Sequence, residues 1–374
     1  MNQIPVCLGV QQRVLPEYRA PFFELLAESC PNGLGVFAGK ARPNEAIAPF
    51  TALQKAVYFP ANNVHLLGGA AYGLLQPSFV DWLNIWQPGA LIVEANPRYL
   101  STPAAVRWMH NRNRPVLGWG LGAPPASRLE TAFRGRFLHS LDAVIAYSRA
   151  GAEQYIAAGL SPERVFVAPN AVAARPGQKP FVRPPVYADG RATLLFIGRL
   201  QARKRLEVLL QACAALPRGL KPRLIIVGDG PERESLQQLA AEVFPETVFT
   251  GAMSGAELEP YFAAADLFVL PGTGGLAVQQ AMSHTLPVIV GEADGTQSEL
   301  VRPENGWLLS SSSVEGLTRA LSEALQYPNR LRQMGLASYR IVSEEVNLEK
   351  MVETFAKAVD FTMRNSKNSN LRDL

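Results

Sequence analysis

The stretch Thr193–Lys204, TLLFIGRLQARK, decides how the chain is read. Thr193–Ile197 is a short apolar run, as expected of a strand buried on both faces of a parallel sheet. Gly198 lets the backbone turn sharply at the strand end. Two cations follow: Arg199 at the rim, and Lys204 about one helical turn into the next element, with an amphipathic stretch at Arg203–Ala215. The same unit recurs downstream. Arg223–Val227 is apolar and ends in Gly228-Asp229-Gly230-Pro231, and Glu232–Val243 has Leu236, Leu239, Ala240 and Val243 on one helical face. Val248–Thr250 is a brief strand before Gly251. Glu257–Ala265 and Leu276–Ser283 read as helices, Leu267–Leu270 and Pro287–Val290 as strands. Short apolar strands alternating with helices specify a parallel sheet covered on both faces.

Toward the N-terminus the same grammar runs less cleanly. Pro5–Val10, Gly35–Phe37, Val64–Leu67, Ala90–Val93, Val116–Trp119 and Ala143–Ala146 are the strand candidates; Pro21–Glu28, Ser78–Ile85, Thr102–His110 and Ser148–Ala158 are the helix candidates. A chain of 374 residues exceeds one ordinary core, so two α/β domains are expected. The Pro- and Gly-rich stretch Ala174–Arg191 suits a linker, which gives domains at 1–180 and 181–354. The tail Asn347–Met363 has helical spacing, and its end, about 355–374, is expected to pack back on the first domain.

Apolar residues make up 48% and charged residues 18%, the balance of a folded globular protein rather than a disordered one. No apolar run reaches the roughly 18 residues of a spanning helix, and Met1–Val10 lacks the pattern of a signal peptide. Three separated cysteines, Cys7, Cys30 and Cys213, read as reduced thiols, so a cytoplasmic protein is expected, without disulfide or metal site. Residues 1–185 hold 17 Lys and Arg against 10 Asp and Glu, and the remainder 19 against 22. The basic half suits an anionic partner, whether a membrane face or a phosphorylated acceptor, and reads equally as charge scattered over a surface. The stretch Arg128…Arg134-Gly135-Arg136, with Leu129, Phe133 and Phe137 on its other face, reads as a core helix or as an interfacial contact with the inner face of the membrane.

Open α/β sheets bind ligands beyond the C-terminal ends of their strands. Arg199 and Lys204 converge on such an end and suit a pyrophosphate whose leaving charge needs stabilisation. Read alone, Arg203, Lys204 and Arg205 equally describe a solvated helix start. Leu270-Pro271-Gly272-Thr273-Gly274-Gly275-Leu276 gathers backbone N–H groups at a helix start, an anion-binding arrangement or a plain glycine-rich connection. Val290-Gly291-Glu292-Ala293-Asp294-Gly295-Thr296 is a third polar strand end, followed by Glu299.

The series Gly198-Arg199-Leu200…Lys204, Ile225–Pro231, Phe249-Thr250-Gly251, Ala265–Pro271, Gln280–Ser283, Leu286–Val290, Glu299-Leu300-Val301 and Asn305-Gly306-Trp307 resembles family 4 of the glycosyltransferases. Gln12–Pro16, Tyr18-Arg19 and Pro21-Phe22-Phe23 resemble the opening of members acting in bacterial surface-polysaccharide assembly. Asp142–Ser148 and Val167–Val172 resemble the segments before the interdomain linker. The resemblance implies the GT-B fold: two Rossmann-like, doubly wound parallel-sheet domains facing across a cleft. It implies retaining transfer of a sugar from a UDP- or GDP-sugar to a glycan, lipid-linked or other hydroxyl acceptor. It implies neither a permanently bound cofactor nor a metal, and no nucleic-acid partner. Arg199 and Lys204 would act on the donor pyrophosphate. Gly198, Ala252, Met253, Gly272, Thr273, Gly274, Gly275, Leu276, Gln280 and Glu299 would line the donor site.

The family's paired glutamates, spaced E-x7-E, fall here on Gly272 and Gln280, so both carboxylates are absent. Gln280 keeps an acceptor oxygen for a ribose hydroxyl without charge assistance. The first-domain histidine common in the family has no counterpart in Trp119-Gly120-Leu121-Gly122. A catalytically silent nucleotide-binding protein and a sugar-nucleotide epimerase on the same fold are the alternatives. The acceptor candidates are the first-domain strand ends: Tyr18 and Arg19; Glu94, Asn96 and Arg98; and Trp119, with an arginine meeting an acceptor phosphate and Trp119 stacking on a sugar face.

Overall fold

The computed structural model describes residues 3–42, 52–69, 72–124, 127–274, 276–291, 297–311 and 313–370. Met1–Val172 with Leu348–Leu374 form one compact unit, and Ala173–Asn347 form a second.

Unit 1 is built on seven parallel strands: β1 (Leu8–Val14), β2 (Leu34–Gly39), β3 (Val57–Pro60), β6 (Ala90–Glu94), β7 (Val116–Gly120), β8 (Ala143–Ala146) and β9 (Val165–Val167), in the order β3-β2-β1-β6-β7-β8-β9. A small antiparallel pair, β4 (Val64–Leu66) and β5 (Gly73–Leu75), stands apart. Its helices are α1 (Ala20–Glu28), α2 (Phe79–Trp86), α3 (Thr102–His110), α4 (Arg128–His139) and α5 (Arg149–Ala157). In unit 2 the strands β10 (Thr193–Ile197), β11 (Arg223–Val227), β12 (Val248–Gly251), β13 (Leu267–Leu270), β14 (Val288–Gly291) and β15 (Gly306–Leu309) are all parallel, in the order β12-β11-β10-β13-β14-β15. Helices α6 (Leu206–Ala215), α7 (Arg233–Val243), α8 (Glu259–Ala264), α9 (Leu276–Ser283), α10 (Gln297–Leu300), α11 (Val314–Leu325) and α12 (Pro328–Arg340) cover it. After a π turn at Ile341–Glu345, the long α13 (Leu348–Asn370) belongs to unit 1, where Phe355 meets Phe22 at 4.9 Å and Trp119 at 5.0 Å between ring centres.

The runs that read as buried strands are buried. Every residue of β10, β13 and β8 is shielded from solvent, and each large apolar side chain so placed contributes about 1.5–3 kcal/mol. Strand β1 departs from its reading of Pro5–Val10: it starts at Leu8 and runs through Gln11 and Gln12. Two buried glutamines masked the apolar pattern. Gln11 Nε2 donates to Gln76 Oε1 at 2.7 Å, Gln76 Nε2 donates to the Gln12 carbonyl at 3.2 Å, and the Glu94 N–H donates to Gln11 Oε1 at 3.1 Å. Pairing these amides satisfies groups that would otherwise be costly to bury. The cysteines are free, and burial pushes the Cys30 and Cys213 thiols up to about 12, so both stay protonated. No helix among the described residues is long and apolar enough to cross a membrane. In α4, Phe133 is 60% exposed while Phe137 is buried, which corrects the reading that put both on a core face.

The stretch Ala174–Arg191 is irregular as expected, but it is not a free linker. Arg183 is buried in unit 2, donating from Nε to the Ala265 carbonyl (2.7 Å), from Nη1 to those of His284 (2.8 Å) and Thr285 (3.0 Å), and from Nη2 to that of Phe262 (2.7 Å). Burial, together with Arg332 nearby, brings its guanidinium down to about 10. Phe181 N–H donates to Thr285 Oγ1 and Arg332 Nε to the Pro184 carbonyl, so proline-rich backbone is held by side chains. Arg183→Ala is expected to destabilise unit 2 by about 3 kcal/mol, because it strands carbonyls that a charged donor now satisfies. Denaturant unfolding monitored with and without the substitution checks this.

Candidate functional site

In unit 2 the strand order reverses between β10 and β13. The chain leaves these neighbours in opposite directions, so the loops behind them part and open a crevice at the sheet edge, the usual ligand position in such sheets. The loop after β10 carries Gly198, Arg199 and Lys204. The loop after β13 carries Gly272, Thr273 and Gly274.

The two loops are stapled to each other. Thr273 N–H donates to the Arg203 carbonyl at 2.9 Å, and Lys204 Nζ donates to the Thr273 carbonyl at 2.7 Å. Gly272 lies at the seam, where a Cβ would stand 2.6 Å from Lys204 Cα and closer still to the Arg203 carbonyl oxygen. Backbone therefore excludes any side chain at 272, which gives the missing first carboxylate a packing reason. Lys204 is not inside a helix, as its spacing suggested. It closes a 3-10 turn, Ala202–Lys204, and α6 begins only at Leu206, after Arg205 in the left-handed region at φ 57°. The tight turn is what brings the ammonium to Thr273. Burial, with Arg203 beside it, lowers that ammonium to about 8, since desolvation disfavours the charged form.

Next to this seam is a recess of about 580 Å³ whose lining includes Gly198, Arg199, Gly228, Asp229, Ala252 and Met253. Its floor is backbone from three strand ends: Gly198 N–H donates to the Val227 carbonyl at 3.0 Å and Gly228 N–H to the Gly251 carbonyl at 2.8 Å. Arg199 is exposed at the lip and has no ion-pair partner among the described residues. Asp229 accepts from Gly230 N–H at 2.7 Å and pairs with Arg233 at 2.8 Å. Neither Gly228 nor Asp229 was singled out as a site residue from the sequence, although the glycine-bracketed strand end Gly228-Asp229-Gly230 carried the signal. Gln280 is exposed on α9, and Glu299 is buried in α10. Gly275 and residues 292–296 lie outside the described residues, as does the side chain of Leu276, which opens α9.

Unit 1 has its own reversal, between β1 and β6. Tyr18 and Arg19 follow β1; Glu94 ends β6, and Asn96 and Arg98 follow it. The Glu94 carboxylate accepts the Arg13 N–H at 2.6 Å and the Tyr99 hydroxyl at 2.7 Å. Burial raises its carboxyl above the ordinary range, against the pull of those two hydrogen bonds and of Arg13 and Arg19. A recess of about 470 Å³ takes in Glu94, Asn96, Arg98, Trp119, Arg134 and Tyr147. Tyr18 is exposed, whereas Arg19 is buried. Trp119 corrects its reading: it is only 1% exposed, with its ring packed on Phe22 (5.4 Å), Tyr147 (5.3 Å) and Phe355 (5.0 Å). A ring packed on three others has little face left to stack on a sugar, although it helps to line the recess. None of the histidines sits in either recess; His110 pairs with Asp142 and His284 with Glu259, each at 3.0 Å.

The sequence signature of the family described as Glycosyl transferases group 1 matches residues 180–340. The match covers that segment alone. The segment contains the stapled loops and the recess lined by Gly198 and Arg199. The chain is 32% identical over 175 residues to a GDP-mannose-dependent alpha-mannosyltransferase of Corynebacterium glutamicum, covering 45% of this chain and 40% of that one. It is 30% identical over 160 residues to a GDP-mannose-dependent alpha-(1-6)-phosphatidylinositol monomannoside mannosyltransferase of Mycolicibacterium smegmatis, covering 39% and 42%. The chain thus spans about two fifths of the length of these curated relatives. The solved structure of Anabaena Alr3699/HepE in complex with UDP superposes with a TM-score of 0.67 at 17% identity, covering 96% of this chain and all of that one. Unit 1 and unit 2 make up a two-domain α/β GT-B fold.

Gly272→Ala is expected to cost about 2–3 kcal/mol of stability, because the new Cβ must push backbone aside. Gly272→Glu fails in the same way, while Gln280→Glu, on an exposed helical position, leaves the unfolding midpoint within about 0.5 kcal/mol. Denaturant midpoints of the three variants check the ordering.

Proposed function

We propose that the chain is a glycosyltransferase that moves a sugar from a UDP- or GDP-sugar to a hydroxyl of a glycan or lipid-linked acceptor, with retention of anomeric configuration. The observation that carries this reading is a glycine-floored recess at the unit 2 reversal with Arg199 on its lip and the seam-held Lys204 beside Gly198. In this reading the nucleobase lies against Ala252 and Met253. The pyrophosphate crosses Gly198, and Arg199 and Lys204 stabilise the charge that builds on it as the anomeric C–O bond breaks. The acceptor oxygen attacks from the same face, and its proton passes to the departing phosphate. Gln280 offers its amide to the ribose. With no side chain tolerated at 272, the sugar is gripped by Thr273 and by the backbone N–H groups of the turn, including Gly274, Gly275 and Leu276; Glu299, buried in α10, acts through its neighbours. Unit 1 supplies the acceptor subsite, with Glu94, Asn96 and Arg98 in its recess.

The related enzymes named above use GDP-mannose, and one of them acts on a phosphatidylinositol mannoside, which supports a lipid-linked acceptor. Exposed Phe133, next to Arg134 in the sequence, and the excess of basic over acidic residues in 1–185 support work at the cytoplasmic face of an anionic membrane.

Two measurements test the proposal. Arg199→Ala and Lys204→Ala are each expected to lower transfer or donor hydrolysis by about 10²-fold, assayed against UDP- and GDP-sugars; near-normal rates in both would remove the leaving-group argument. Nucleoside diphosphate affinity is also expected to fall as pH rises through about 8, where Lys204 loses its charge, and Lys204→Arg, charged throughout, should flatten that profile. A wild-type profile that stays level across this range contradicts the assignment of Lys204.

A further inference from the structure

Among the described residues, five buried side-chain polar atoms have no hydrogen-bond partner, and two of them belong to neighbours: Arg19 Nη1 and Trp119 Nε1. The Arg19 guanidinium carbon lies 5.1 Å from the Trp119 ring centre, 5.6 Å from that of Tyr147 and 5.5 Å from that of Tyr18. Arg19 is only 6% exposed, yet its charge rests on aromatic faces with no carboxylate hydrogen-bonded to it. Stacking offsets part of the loss of water, but it leaves the N–H groups unanswered. Both orphan groups are donors only, so whatever completes them must bring lone pairs, and the positive charge asks for those lone pairs to be anionic.

Their place in the fold points the same way. Arg19 follows β1 and Trp119 lies on β7, next to β6 in the sheet, so the pair flanks the unit 1 reversal, where open α/β sheets take ligands. Trp119 and Tyr147 also help wall the unit 1 recess. Glu94, whose carboxyl feels the charge of Arg19, is already engaged by the Arg13 N–H and the Tyr99 hydroxyl. Of the three rings around the guanidinium, only Tyr18 stands substantially in solvent, at 44% exposure.

We infer that unit 1 holds a phosphate subsite at this reversal, with Arg19 Nη1 and Trp119 Nε1 donating to one phosphate group. The ligand enters by displacing Tyr18. As an acceptor site, it rests on the transferase reading and narrows it to acceptors that carry a phosphate near the reacting hydroxyl. As an anion site, it stands without that reading. The phosphate belongs either to a soluble phosphoester or to a lipid headgroup, which share this chemistry.

The test uses the full chain with GDP or UDP held at saturation, so that the unit 2 recess does not contribute. Calorimetric titration with inorganic phosphate and with glycerol 3-phosphate forms one arm. Co-flotation with phosphatidylglycerol vesicles, against phosphatidylcholine vesicles, forms the other. Arg19→Gln should weaken whichever arm binds by about tenfold or more, as loss of a charge-assisted donor does. Trp119→Phe, which keeps the ring and removes only the N–H, should weaken it by a smaller factor and decides the matter if Arg19→Gln does not fold. Arg19→Met should hold or raise the thermal midpoint of the ligand-free protein, since it removes a buried charge without hydrogen-bond partners, whereas a purely structural arginine would lower it. Soluble phosphoester that competes vesicles away identifies a headgroup; binding in the soluble arm alone identifies a free phosphoester. Equal binding by wild type, Arg19→Gln and Trp119→Phe, or no binding by wild type in either arm, overturns the inference. Failure of wild type to bind GDP or UDP would instead count against the transferase reading and leave the anion measurement standing.

Discussion

The contact between the two loops at the unit 2 reversal is the constraint on which the rest of the candidate site depends. Thr273 N–H on the Arg203 carbonyl and Lys204 Nζ on the Thr273 carbonyl are two hydrogen bonds between segments about seventy residues apart. They hold because Gly272 presents no side chain to the facing backbone. With the seam closed, Lys204 is taken half out of water and its ammonium is brought down to about 8. It therefore sits next to the recess as a desolvated cation with a fixed direction, and such a charge acts on a developing negative charge more strongly than a solvated one. The absent carboxylate at 272 and the geometry of Lys204 are thus one feature: an acidic side chain there would require the seam to open.

Both units put their unusual polar groups at the same topological place. In unit 2 this is where β10 and β13 part; in unit 1 it is where β1 and β6 part. The unit 1 reversal is lined by side chains that pay for burial with one another: Gln11, Gln76 and Glu94 form a connected set closed by Arg13 and Tyr99. Arg19 and Trp119 stand outside that closure, with donors unanswered. Where the surrounding amides are satisfied so fully, two neighbouring donors without partners are informative, because buried donors are rarely left so.

Much of the site was legible along the chain. Gly198, Arg199, Ala252 and Met253 come from separate strand ends that the alternation of apolar runs and glycines marks, and the structure gathers them in one recess. The limits of β10, β11 and β13 coincide with their apolar runs because strands buried on both faces need uninterrupted apolar residues. Strand β1 was displaced in the reading because Gln11 and Gln12 are polar, and their partner, Gln76, lies 64 or more residues away. Arg183 looked like linker because prolines surround it, and the four carbonyls that hold it come from distant helix ends and loops.

Sequence by itself determined the two α/β units, the strands that carry polar ends, and the presence of cations after β10, since periodicity and glycine placement act over a few neighbouring residues. Tertiary structure alone decided that no side chain fits at 272, that Lys204 leaves the helix to meet Thr273, that Trp119 is core, and that Arg19 is buried with a donor to spare. Each of these rests on what a distant segment places within a few ångströms, and steric exclusion, desolvation and hydrogen-bond pairing are set by that distance rather than by order along the chain.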